Sequence, residues 1–136
     1  AMQNRDWSSD VCSSDLAVTK RAYAIYRERR YEAVLLVAAL RGTHHCVELA
    51  GAELIMSIHP AYQAKLLEPG VPRARRIDVP VAPEVIARLQ SVPEVVRAYE
   101  PDGMAPEAFF TFGLTQRTLA QFSEAGWLLL ETLGAS

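Results

Sequence analysis

The sequence predicts an α/β fold in which two parallel strands sit among a majority of helices. Three observations carry this expectation. Two apolar runs, 33–40 and 52–58, have the length of strands and fall well short of the ~18 residues of a membrane span. Segments with helical spacing of apolar residues precede, separate and follow them, and that alternation marks βαβ units and a parallel sheet. Half of the 136 residues are apolar and 22% are charged, which is the balance of a globular domain with one core.

The elements follow in chain order. Val18, Ala22, Ile25 and Tyr26 recur at three- and four-residue spacing, with Lys20, Arg21, Arg27 and Glu28 on other faces. Residues 17–30 therefore read as an amphipathic helix. The unbroken run 33–40 suits a strand buried on both faces. Thr43 suits an N-cap for a short helix from His44 to about Ala50, and Gly51 ends it. Residues 52–58 form the second strand, closed by His59 and Pro60, and a helix runs from Pro60 to Leu67. Pro69, Gly70, Pro72 and Pro80 make 68–82 an irregular connector, with Ile77–Val79 briefly extended. Pro83 and Pro93 open short helices, each followed by a glutamate that suits the positive helix N-terminus. Asp102-Gly103 is a turn. Pro106 opens a helix, and Phe109, Phe112, Leu119, Phe122 and Leu130 stripe a C-terminal helix over 111–133, with Gly113 and Gly126 as weak points.

Charge and composition exclude several classes. The formal net charge is −2, without the basic excess of a nucleic-acid binder. The arginine clusters at 27–30 and 73–76 read as solvated faces. No run is long enough for the membrane, and no signal-peptide layout is present. Cys12 and Cys46 make neither a disulfide framework nor a metal site, so a cytoplasmic setting is expected. His44 and His45 are neighbours on a helix and point in different directions; His59 stands alone at a loop edge. Cys46 reads as a small core side chain. No metal and no cofactor is expected.

The first sixteen residues stand apart. Asp6 to Leu16 is polar and contains a near repeat, Ser8-Ser9-Asp10-Val11 then Ser13-Ser14-Asp15-Leu16. The stretch resembles the in-frame translation of a common short-read sequencing adapter. That resemblance implies a segment, 1–16, foreign to the fold and joined to a truncated gene, and one evolved domain over 17–136.

Within 17–136, Ala24-Ile25-Tyr26 through Tyr31, Leu36 through Gly42, Glu48-Leu49-Ala50-Gly51-Ala52 and Ser57-Ile58-His59-Pro60 together resemble the end of a transaldolase. Pro106-Glu107 through Phe112-Gly113, with Thr115 and Thr118-Leu119, is similar to the C-terminal helical extension of some bacterial members. The resemblance implies part of a (β/α)8 TIM barrel, strands seven and eight with C-terminal helices. The family transfers a dihydroxyacetone unit between sugar phosphates through a Schiff base on a fourth-strand lysine, without a cofactor.

One group of that machinery maps onto this chain. Arg41, with Gly42 beside it, matches the phosphate-binding arginine that ends the seventh strand; Ala39 stands where many members have a serine. The fourth-strand lysine has no counterpart. The chain has two lysines, Lys20 on the polar side of a helix and Lys65 within another, and neither stands at a strand end. The expectation is a fragment inactive alone, holding at most a sugar phosphate or other small anion at Arg41. A solvated or carboxylate-paired Arg41 is the level alternative. Open strand edges further predict a homo-oligomer that completes the partial barrel.

Overall fold

The computed structural model describes residues 7–134, which divide into two compact units at Tyr99/Glu100. The first contains α1 (Trp7–Arg29), β1 (Leu36–Val37), α2 (Thr43–Glu48), β2 (Ile55–Met56), α3 (Pro60–Leu66), α4 (Pro83–Leu89) and α5 (Pro93–Tyr99). The strands pair in parallel, Leu36 with Ile55 and Val37 with Met56. The expected helix–strand–helix–strand–helix order is present.

The ladder is shorter than the apolar runs suggest. Ile55 N–H donates to the Leu35 carbonyl and Ser57 N–H to the Val37 carbonyl. Ala39 then takes a left-handed backbone with φ 56°, which no residue keeps within a strand, and the chain leaves the sheet.

The sheet is also covered on one side only, contrary to the two-sided burial that 33–40 suggests. Leu35, Val37, Leu54 and Met56 pack around a buried centre of Tyr23, Leu49 and Ile77. Val34, Leu36 and Ile55 point the other way and are 53–61% exposed. Side chains alternate across a strand, and the helices supply apolar cover to just one of the two faces.

α1 begins well before residue 17. It runs unbroken through the adapter-like stretch, which carries serines and aspartates but no glycine or proline. Propagating a helix past its nucleus costs far less than starting one. Leu16 joins the core cluster and Ala17 is buried. Deleting residues 1–12 is expected to leave the melting temperature within a few degrees, because Leu16 and Ala17, which hold α1 to the core, lie beyond the cut; a circular-dichroism melt checks it.

Lys20 lies on the covered face of α1 rather than the polar one. Its side chain is 10% exposed. Val18, Ala22 and Ile25, the expected stripe, are half-buried. α1 thus packs against α4 and α5 as well as α2, and the Arg21 guanidinium stacks 5.0 Å from the Tyr99 ring.

Loops are fixed by backbone geometry. Gly51 has φ +84°, and a Cβ there would meet Arg75 Cγ at 2.6 Å, so both conformation and space call for glycine. Residues 77–79 turn instead of extending, with Val79 N–H bonded to the Arg76 carbonyl, and Ile77 is buried.

The second unit opens with a turn closed by Gly103 N–H on the Glu100 carbonyl. Pro106 opens a helix as expected, a 3₁₀ turn over Pro106–Phe109. α6 (Gly113–Phe122), a π turn (Ser123–Trp127) and α7 (Leu128–Gly134) then follow without a break. Gly113 is the first residue of α6 and Gly126 lies in the π turn, so neither glycine interrupts the helical course.

Candidate functional site

Arg41 and Gly42 follow β1 at its C-terminal end and lead into α2. The Arg41 backbone is tied down. Its N–H donates to His45 Nδ1 at 3.2 Å, and its carbonyl accepts from the Tyr62 hydroxyl at 3.1 Å. The side chain is left at the surface, 60% exposed, with Nε 4.0 Å from the Asp15 carboxylate. A screened pair at that distance is weak, so the guanidinium remains accessible to an anion.

Gly42 is the N-cap of α2 with an extended backbone and no side-chain cap. Thr43, expected as the cap, is the first helical residue. A Cβ at Gly42 would lie 2.8 Å from His44 Nδ1, so glycine leaves room for that ring. The geometry brings Arg41, Gly42 and His45 together. Lys65 belongs to α3 and is exposed.

Two of the histidines, His45 and His59, hold structure. His45 is buried and accepts from Arg41. His59 caps α3, its Nδ1 accepting from Ala61 N–H at 3.2 Å. Among the described residues no cluster of three or more His, Cys, Asp or Glu could hold a metal ion. Cys46 is buried, and burial pushes its thiol up despite a lowering backbone hydrogen bond. A thiol held protonated is a poor nucleophile.

Charge is concentrated elsewhere. Lys20 Nζ donates to Glu48 Oε2 at 3.1 Å, the Arg76 carbonyl at 3.2 Å and the Val79 carbonyl at 2.7 Å. Arg76 Nε donates to the other Glu48 oxygen at 2.8 Å. Burial raises the Glu48 carboxyl, but the hydrogen bonds from Arg76 and Lys20 and their charges outweigh it and hold the group below its ordinary value. This cluster joins α1, α2 and the connector. Sequence reading missed it, since Lys20 and Glu48 are far apart in the chain and neither marks itself as buried.

A cleft of about 530 Å³ lies beside the residues that lead into β1, lined by Tyr23, Tyr26, Arg27, Arg30, Tyr31 and Glu53 among others. Arg27 pairs with Glu53, and the Tyr26 and Tyr31 rings meet edge to face at 5.1 Å. These are the N-terminal approaches of the strands, away from Arg41.

Among the described residues no helix is long and apolar enough to cross a membrane. Comparison of the chain with protein-family models, with curated proteins and with solved structures finds no match.

Proposed function

We propose that the chain is the late part of a transaldolase-like barrel that acts as a self-assembling structural module in the cytoplasm and not as a transaldolase. The observation that carries the reading is the uncovered sheet face of Val34, Leu36 and Ile55. In a closed (β/α)8 barrel the face away from the helices points inward and is filled by side chains from the other strands. The alternating ladder also turns the backbone groups of Leu36 and Met56 toward the outer edges. Such an edge is matched by another strand. A second copy offers the same edge and the same apolar face, and a two-fold axis makes them self-complementary. Each Val, Leu or Ile fully covered contributes about 1.5–3 kcal/mol.

Lys20 supports the absence of Schiff-base chemistry. Nζ faces one carboxylate and two carbonyls, all acceptors for its three N–H groups. Attack on a sugar carbonyl needs a free lone pair on that nitrogen. Arg41 and Gly42 are the part that touches a phosphate, through a bidentate guanidinium grip once Asp15 yields.

Two measurements test the reading. Sedimentation at micromolar concentration is expected to give at least twice the 15.0 kDa chain mass, and Leu36→Lys is expected to lower the assembled mass. A wild-type monomer independent of concentration overturns self-assembly. Borohydride treatment with fructose 6-phosphate is expected to leave the chain mass unchanged; an adduct on Lys20 or Lys65 overturns the claim of inactivity.

A further inference from the structure

The cleft beside the strand approaches holds groups that neither the core nor the charge cluster around Glu48 uses. Its volume of about 530 Å³ falls within the roughly 300–1,000 Å³ of small-molecule sites. Among the described residues no side-chain hydrogen bond or ion pair engages Arg30, Glu32 or the Tyr26 hydroxyl, all of which line it.

The backbone at the cleft is held against its preference. α1 ends with Tyr31 N–H on the Tyr26 carbonyl at 3.1 Å and Arg30 N–H on the Arg27 carbonyl at 3.3 Å, the paired bonds of a Schellman turn. Such a turn needs one residue in the left-handed region, usually glycine. Here it is Arg30, with φ 51°. A side chain kept in that conformation is strained, and strain of this kind gathers at ligand clamps. Tyr31 is fixed as well. Its ring stands at 84° to that of Tyr26, and its hydroxyl accepts from Arg29 Nη1 at 3.1 Å. Tyr31 is nonetheless 48% exposed, so a held aromatic ring stands open at the cleft.

Charge narrows what could enter. Arg27 and Arg30 line the cleft with Glu32 and Glu53, two cations against two anions, and Arg27 is already paired with Glu53. The C-terminal end of α1 adds the negative pole of the helix dipole. A polyanion such as a nucleotide would meet two carboxylates and that pole. A ligand with one negative end, one positive end and a flat ring meets a complement for each: the Arg30 guanidinium, the Glu32 carboxylate and the Tyr31 ring.

We propose that this cleft is a binding site for a small zwitterion with a flat ring, the chemistry of an aromatic amino acid. Arg30 takes the carboxylate, Glu32 takes the ammonium, and the ring lies against Tyr31. The site is separate from Arg41 and needs no second copy of the chain.

The experiment is titration of the full isotope-labelled chain with L-tryptophan, followed by amide chemical shifts. Saturable shifts at residues 30–33 and 53 are expected. Arg30→Gly is expected to weaken binding at least about tenfold, with the melting temperature unchanged or raised, because glycine adopts the turn freely. Tryptamine lacks the carboxylate and indole-3-propionate lacks the ammonium, and each is expected to bind more weakly than L-tryptophan. Leu36→Lys alters the sheet face next to Val34 of the cleft and is expected to bind as wild type does; binding lost there overturns a site formed by one chain. Full binding by Arg30→Gly, or no saturable shift at millimolar L-tryptophan, overturns the proposal. Equal binding of tryptamine or indole-3-propionate overturns the zwitterion, and tighter binding of adenosine 5′-monophosphate overturns it in favour of a nucleotide.

Discussion

Leu49→Ala is expected to cost the first unit about 3–5 kcal/mol, enough to unfold most of it at 37 °C. Leu49 is 1% exposed and is the one large side chain under 2% among the described residues. It stands between Tyr23 of α1 and Ile77 of the connector, with Leu35, Val37 and Leu54 of the strand segments packed on the same cluster. A core this small has no second centre to relax into, so the cavity term stays near its upper range. Urea denaturation followed by circular dichroism checks it. A loss below about 1 kcal/mol would mean that the cluster is not what holds the helices to the sheet.

Glu48→Ala is the second large effect, about 2–4 kcal/mol, because it leaves Lys20 and Arg76 facing each other without their shared carboxylate. The same group gives a pH dependence of definite sign. Its folded value lies below the ordinary 4.5, so the stabilisation is fully present above that ordinary value. It is lost as pH falls from there through the depressed folded value. Wild type is expected to lose stability over that acid window, and Glu48→Gln to lose less, since it has no proton to take up there. Parallel acid titrations of the two proteins, each followed by urea midpoint, decide it; equal slopes would assign the acid sensitivity to other carboxylates.

Much of the element order was legible because it depends on local signals. Pro60, Pro83 and Pro93 each open a helix in the first turn, where the missing N–H costs nothing. The second strand was read as a strand without its facing, which the structure supplies. Glu53, Ile55 and Ser57 face out while Ala52, Leu54, Met56 and Ile58 are the more covered residues, and the polar residues at 53 and 57 mark that alternation. The run 33–40 has no polar residue to break the tie, so it read as covered on both faces. Lys20 was misread for a related reason. Its burial depends on Glu48 and on carbonyls of residues 76 and 79, and no window along α1 contains them. At the candidate site, the position of Arg41 after a strand was legible from the run that ends before it. The bonds from His45 and Tyr62 that fix its backbone, and the approach of Asp15, belong to tertiary structure.

The Ala50 carbonyl accepts from both Arg76 N–H at 2.9 Å and Ile77 N–H at 3.2 Å, and Arg75 Nη1 reaches the next carbonyl, Gly51, at 2.5 Å. That clasp closes a loop of roughly 25 residues around β2 and α3. Its meaning is one of timing. While it holds, the proline-rich connector cannot peel away without drawing Ile77 out of the core, so amide protons at 55, 57, 76 and 77 share a single opening event and exchange with solvent together.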